Sequence, residues 1–592
     1  MKYIMKKLTS MMLVVAMFFS MTTGLVLAEG DTTTTTTETT VTETAPEAVE
    51  QVENVIDILS VNDFHGNVKE SGKNIGMAKM VGYVNEQKQL NPNTVVVAAG
   101  DSYQGTAISN LTFGAPVNEM YKAMGVVASS VGNHEFDWGV DRIAQWAEEG
   151  GFPFLAANIY DKATGEPVSW AQPYLIQEVA GKKIAFIGLS TVQTAYQTKV
   201  ENVANLEFKT AEEAAKIWID YLKAGNAEEG TPDVIIALTH VAAYQDAYGS
   251  DPTLPVTGEE IEALCAVEGL DAVITGHSHT TVAGYINGVP VVQAYKNGRS
   301  VGKISIELNE DQSVKAITPS VTAVYKISSD IIEDADTKAV YDKYEQDFEP
   351  IAGEVVGQLE GTLSHDRSDK NVSTLGYWVC DLMRKSTGVQ IGLTNGGGLR
   401  KTLEEGTITM GDMYEVMPYD NKLVTMEVTG AHLKALVDHG IEADFMTDGQ
   451  FAGVKVVYDP SKEYENRIVS ITLEDGTPID MDATYTLVTN DFILGGGDKY
   501  DFSDATNVVD TFVPIRDELV KAFKSVDKVV APTVDVISVV EVDTETYTIQ
   551  DGDVLWKIAE AYGTSYETLA EMNSLENPHM IFVGETLLVP AQ

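Results

Sequence analysis

From about Val55 the chain changes into short runs of β-branched and aliphatic residues separated by stretches with helical spacing of apolar positions. Val55 to Val61, Thr94 to Ala99, Val126 to Val131, Lys183 to Leu189, Asp233 to Leu238 and Asp271 to Ile274 read as buried strands, and Ala211 to Leu222 reads as an amphipathic helix. Such alternation predicts an α/β domain over residues 53–327, with functional side chains beyond the carboxyl ends of its strands.

The pattern differs on either side of this region. Residues 1–28 have a basic start, an apolar run through Phe19 and a small-residue end at Ala28, as a secretory signal peptide does. Residues 29–52 are a threonine-rich tract with too little apolar surface to fold, and predict a disordered spacer. No later run reaches the roughly 20 apolar residues of a membrane span, so none is expected after signal cleavage. Residues 328–353 predict a charged connector helix with Tyr341, Tyr344 and Phe348 on a loose stripe. Residues 354–531 mix a helix, Thr374 to Thr387, with strands at Leu423 to Val428 and Thr484 to Thr489, and predict a second domain.

Composition narrows the chemistry. Across 592 residues there are 88 acidic and 40 basic side chains, a formal net charge of -48. That argues against a nucleic-acid polymer as partner, because backbone recognition needs a surplus of Lys and Arg. An anionic substrate would need a locally positive site, which metal ions supply. Only Cys265 and Cys380 occur, which excludes a disulfide framework and predicts two buried free thiols.

The strand ends carry the candidate chemistry. The first runs into Asn62-Asp63-Phe64-His65-Gly66, the second into Gly100-Asp101, and the third into Gly132-Asn133-His134-Glu135-Phe136-Asp137. Later strands run into Thr239-His240 and Gly276-His277-Ser278-His279. All five histidines before residue 300 stand at strand ends, accompanied by Asp63, Asp101 and Asn133. Zinc, manganese and iron accept mixed imidazole and carboxylate donors, and one carboxylate can bridge two ions. This grouping implies two divalent metal ions.

In that order the motifs resemble the calcineurin-type metallophosphoesterases, and closely the secreted 5′-nucleotidase and UDP-sugar hydrolase family. The resemblance implies a four-layer α/β sandwich. It implies one metal held by Asp63, His65, Asp101 and His279, and a second by Asp101, Asn133, His240 and His277, with His134 and Asp137 as a catalytic dyad. Residues 354–531 resemble the family's α+β nucleotide-binding domain, in which two aromatic rings sandwich the base. Tyr419 and Phe492 match the rings, Asp498 the ribose acceptor, Asn395 a base or sugar contact, Arg400 a phosphate ligand and Arg367 a looser one. Residues 546–590 are similar to a LysM repeat of βααβ form, which implies non-covalent retention on peptidoglycan or another N-acetylglucosamine glycan. The expected protein is a secreted, wall-associated 5′-nucleotidase with a nucleotide substrate. Alternatives are a 2′,3′-cyclic-nucleotide phosphodiesterase with 3′-nucleotidase activity, a UDP-sugar hydrolase, and a wall-bound adhesion protein with a vestigial enzyme domain.

Overall fold

The computed structural model describes residues 54–591, apart from 246–252, 367–370, 444–447, 541–543, 574, 576 and 579. The expected signal peptide, the threonine-rich spacer and Arg367 lie outside the described residues.

Two six-stranded sheets form the centre of the first domain. One runs, edge to edge, Val314–Thr322, Val301–Leu308, Val55–Val61, Thr94–Ala98, Val126–Ser130 and Phe154–Leu155. The other runs Thr281–Ile286, Val289–Ala294, Ala272–Thr275, Val234–His240, Lys182–Ser190 and Tyr174–Val179. Strands from Val55 to Leu155 pair in parallel, as do the four inner strands of the second sheet, so their carboxyl ends gather on one side.

Period-two alternation explains the layering. Ile56 and Ile58 point into the space between the sheets, where they meet Phe186, Ile236 and Ile274, while Leu59 and Val61 face the opposite way. Helices Gly76–Leu90, Ala115–Met124 and Val140–Gly150 cover that outer face through Met80, Tyr121 and Trp146. Ala211–Lys223 and Glu259–Leu264 cover the second sheet through Ile219 and Ile261. The result is the expected four-layer sandwich of helices, sheet, sheet and helices. Because its inner strands are buried on both faces, they are mostly apolar rather than alternating regularly with polar residues, the exceptions such as Ser129, Ser130 and Thr239 standing near their carboxyl ends.

Some boundaries differ from expectation. The fifth expected strand extends to His240, which is its last residue rather than a loop residue beyond it. The connector helix begins at Ala335, not Ser328, because the Asp334 side chain accepts the Thr337 N–H at 2.8 Å and caps it there. Tyr341 of its stripe is buried against the first domain, while Tyr344 and Phe348 are half-buried.

The second domain is built on a five-stranded sheet ordered Gly449–Ala452, Ile391–Asn395, Thr484–Asn490, Lys422–Thr429 and Thr506–Pro514. Its cores include Leu393, Leu436 and Phe451 in one cluster, and Val379, Leu519 and Phe523 in another. Cys265 and Cys380 are both buried and free. Near the end of the chain, Thr544–Thr548 and Thr586–Pro590 pair antiparallel, with helices Leu555–Ala561 and Tyr566–Met572 between them in sequence. Leu555, Ile558, Leu569 and Val589 form their core. Among the described residues no helix is long and apolar enough to cross a membrane.

If the inter-sheet layer holds the sandwich together, Phe186→Ala is expected to lower unfolding stability by roughly 3–5 kcal/mol. Ile217→Ala, at a helix position that is 51% exposed, is expected to change it by no more than about 0.5 kcal/mol. Urea denaturation of the two variants beside the parent checks the contrast.

Candidate functional site

The turns beyond the strand ends are unusual in their backbone. Asp63, His65, Asp101, His277 and His279 have φ of +48°, +48°, +54°, +83° and +55°. Left-handed residues other than glycine cost of order 1–3 kcal/mol each where they are strained, so neighbouring contacts must hold them. The first two loops are laced together by Asp63 N–H to Gly100 O at 3.0 Å, His65 N–H to Asp101 O at 3.0 Å and Gly66 N–H to Ser102 O at 2.9 Å. The third loop is tied in by Glu135, a fully buried carboxylate that accepts the N–H groups of Asp101, Ser102 and Gly132 at 2.8, 2.8 and 2.7 Å. Burial pushes the Glu135 carboxyl up to about 7, against the pull of the Ser102 and Asp101 N–H groups. Gly132 fits where a Cβ would lie 2.3 Å from Asp101 Oδ1.

This scaffold gathers the expected ligands into two groups. Asp63, His65 and His279 form one, and Asp101, His240 and His277 the other, with ligand atoms in each within 4.8 Å of one another. His65 Nε2 and His279 Nε2 face each other at 3.0 Å, and His279 Nε2 lies 3.3 Å from Asp63 Oδ1. His240 donates from Nδ1 to Ala99 O at 2.7 Å, which turns its Nε2 toward Asp101 Oδ2, 3.1 Å away. Asn133 is buried at the same place and its Oδ1 has no hydrogen-bond partner. A buried acceptor left unpaired beside carboxylates and imidazoles is what a divalent cation would complete.

The electrostatics point the same way. Burial raises the Asp63 carboxyl, opposed by His240. Burial would also raise Asp101, but His240 and His134 together hold it well below the carboxylate range. Burial works against the charged form of His240, yet the two carboxylates lift it to about 10. His277 is driven down to about 4 by burial and by His240, and His65 well below its ordinary value by burial and by His279. The pocket therefore retains a positive charge for its carboxylates while keeping His65 and His277 neutral and able to donate lone pairs.

Beside the ligands, His134 Nδ1 donates to Asp137 Oδ2 at 2.9 Å, and Asp137 Oδ1 accepts from Thr198 Oγ1 at 3.2 Å. Burial would depress the His134 imidazolium, but Asp137 and Asp101 raise it. The Tyr419 ring lies 5.7 Å from the His134 ring at 24° between planes, so the second domain reaches the dyad. One cleft is lined by His134, Asp137, Asn395, Tyr419, Phe492 and Asp498. Within it Asn395 Nδ2 donates to Asp498 Oδ2 at 2.6 Å, and Gly497 lies flat against Phe492, where a Cβ would meet the ring at 2.6 Å. Arg400 lies on the other side of the centre, in a second cleft with His65, His279, Lys73, Lys296 and Arg299, and its charge lowers His65 and His134.

The structure thus places the expected ligands and the His134–Asp137 pair at one centre, with Asn395, Tyr419, Phe492 and Asp498 in the cleft beside it and Arg400 in the second cleft; Arg367 is not among the described residues. Three contributors are not legible in the sequence: Glu135, Gln193 and Gln104. Only Glu135 stands inside one of the motifs, where Asn133, His134 and Asp137 draw the eye away from it. Gln193 accepts from His277 Nε2 at 3.2 Å. Gln104 is 2% exposed at the cleft lined by Tyr419 and Phe492, and neither of its carboxamide atoms has a hydrogen-bond partner. No spacing rule marks either glutamine.

Three family profiles match the chain: calcineurin-like phosphoesterase over residues 56–281, 5′-nucleotidase C-terminal domain over 355–504, and LysM domain over 547–590. The chain is 31% identical over 471 residues to Endonuclease YhcR of Bacillus subtilis (strain 168), an overlap covering 75% of this chain and 37% of that protein. It is 27% identical over 532 residues to Cell wall protein Lmo0130 of Listeria monocytogenes, covering 79% and 67%. This chain therefore spans little more than a third of the length of the first relative and about two thirds of the second. Its fold resembles that of a 5′-nucleotidase precursor from Thermus thermophilus, with a TM-score of 0.71 at 24% identity, covering 82% of this chain and 99% of that one.

Glu135→Leu strands three buried N–H groups, each costing about 1–3 kcal/mol. Its urea midpoint is expected to fall by the equivalent of roughly 3 kcal/mol or more, whereas Glu135→Gln, which still accepts, loses less. Equal midpoints for parent and Glu135→Leu would contradict this role.

Proposed function

We infer that this chain, which belongs to the calcineurin-like metallophosphoesterases of the 5′-nucleotidase type and carries a LysM domain, hydrolyses nucleoside 5′-phosphates to nucleoside and phosphate. The observation that carries the reading is one cleft in which Tyr419, Phe492 and Asp498 of the second domain stand across from His134 and Asp137 of the first. Asp63, His65 and His279 would hold one divalent ion, Asn133, His240 and His277 the other, and Asp101 would stand between them. Manganese and zinc both suit such donors. When bound, the ions supply Lewis acidity to the phosphoryl group and to the attacking water.

The chain's own residues do the rest. Tyr419 and Phe492 stack on the base, which tolerates several bases because each has a π face. Asp498 accepts from ribose hydroxyls, and Asn395, already bonded to it, orients it and meets the base or sugar. Arg400 pairs with phosphate oxygens, and Arg367 is a further candidate from its position in the sequence. His134 holds a proton at Nε2 for the leaving 5′-oxygen, while its Nδ1–H stays on Asp137. The Tyr419 ring, stacked beside His134, covers the dyad on the side of the second domain.

The second cleft favours one further reading. Lys73, Lys296, Arg299 and Arg400 line it alongside Glu345, Glu349, Asp412 and Glu415, and the basic side chains near His65 and His279 would hold additional phosphate or a diphosphate-linked sugar. UDP-sugar hydrolysis is therefore the second substrate to test.

Export by the N-terminal segment and retention through the LysM domain would put the protein at the cell wall, bound to peptidoglycan or a similar glycan. A relative named as a cell wall protein and the LysM match support that location.

Phosphate release from AMP with manganese or zinc tests the reading, with chelator-sensitive turnover the expected result. His134→Ala is expected to lose about 10²–10⁴-fold in kcat, and Asp101→Ala at least as much. Tyr419→Ala is expected to weaken nucleotide binding by about 1–3 kcal/mol, seen as a raised KM. Unchanged rates in the first two variants would overturn the assignment. Separately, a chain lacking residues 544–590 is expected to hydrolyse AMP normally but no longer co-sediment with peptidoglycan.

A further inference from the structure

A single helical turn, Thr194–Gln197, follows the Lys182–Ser190 strand and packs beside the second ligand group. The residue that leads into it, Gln193, makes two side-chain contacts through one oxygen. His277 Nε2 donates to Gln193 Oε1 at 3.2 Å, and Gln197 Nε2 donates to the same oxygen at 3.0 Å. Gln197 in turn accepts Asn133 Nδ2 on its main-chain carbonyl at 3.2 Å.

Each bond decides which atom of a ligand faces the centre. With Nε2 protonated and engaged by Gln193, His277 presents the lone pair of Nδ1. With Nδ2 engaged by Gln197, Asn133 presents Oδ1, the atom that has no partner. Turning Asn133 over would offer an N–H to a cation, which repels it, and turning the His277 ring over would put a C–H where the Nδ1 lone pair stood. The turn itself is held from behind: Thr191 Oγ1 donates to Glu260 Oε2 at 2.8 Å, and the Gln193 N–H is donated to Thr191 Oγ1 at 3.2 Å. The C-terminal domain holds it from the front, with Lys499 Nζ 4.7 Å from the Tyr196 ring centre and Lys199 Nζ 3.0 Å from Asp491 Oδ2.

We propose that Gln193 is a positioning residue for the second metal ion: its carboxamide oxygen fixes the ligand atom of His277, and the turn it leads into holds Asn133 through the Gln197 main-chain carbonyl. This rests on the reading of Asn133, His240 and His277 as ligands. Gln193 touches neither the ion nor the substrate, and its effect is selective: the group formed by Asp63, His65 and His279 has no contact with this turn in the hydrogen bonds described.

The test is manganese binding to the metal-stripped full-length chain by calorimetry, with bound metal counted by mass spectrometry. The parent is expected to bind two ions. Gln193→Leu, similar in size but without an acceptor, is expected to bind one ion with parental affinity and the other about 10–100-fold more weakly, the usual loss when the partner of a ligating side chain is removed. Gln193→Glu keeps the acceptor for both N–H groups and is expected to restore the second ion to parental affinity or tighter. Two ions bound by Gln193→Leu as tightly as by the parent would overturn the proposal. Equal weakening of both ions without rescue by Gln193→Glu would also overturn it, as a general structural effect. Fewer than two ions in the parent would instead overturn the two-ion reading beneath it.

Discussion

Two carboxylates and several imidazoles cannot share a dry pocket without a source of positive charge among them, and the rest of this structure answers that constraint. Asp63 and Asp101 are 0% and 2% exposed. Their demand for a cation is visible in His240, which they raise to about 10 against the effect of burial. A pair of divalent ions would meet the same demand with charge to spare, leaving a positive centre for a phosphate dianion in an acidic protein. The scaffold accepts backbone cost to build it. Five ligand positions have positive φ, and they are held there by the N–H to carbonyl lacing of the first two loops and by the three N–H groups on Glu135.

The cleft beside the centre draws on another part of the chain. The first domain supplies the carboxylates, the imidazoles and the His134–Asp137 pair, while Tyr419, Phe492 and Asp498 come from the second. The Tyr419 ring against His134 closes the gap between them.

Much of this is legible in the sequence because the fold makes period and position coincide. Strands buried on both faces are mostly apolar, so their ends stand out, and the histidines at those ends fall on one edge of the sandwich. The helix Thr374–Thr387 is legible to the residue because Ser373 caps it and Gly388 ends it in a left-handed conformation. The start of the connector helix is not, since a charged stretch shows no phase and the capping role of Asp334 emerges only when it accepts the Thr337 N–H. Glu135, Gln193 and Gln104 escape sequence reading for a related reason. The roles of such residues depend on surroundings created by folding, and long polar residues in a sequence look like solvent-facing ones.

The most direct test of the two-metal account is a crystal of the manganese-loaded protein, with diffraction recorded on both sides of the manganese absorption edge. The account predicts two anomalous peaks about 3.5–4 Å apart, one among Asp63, His65 and His279 and the other among Asn133, His240 and His277, with Asp101 between them. A single peak, or peaks away from these side chains, would contradict it.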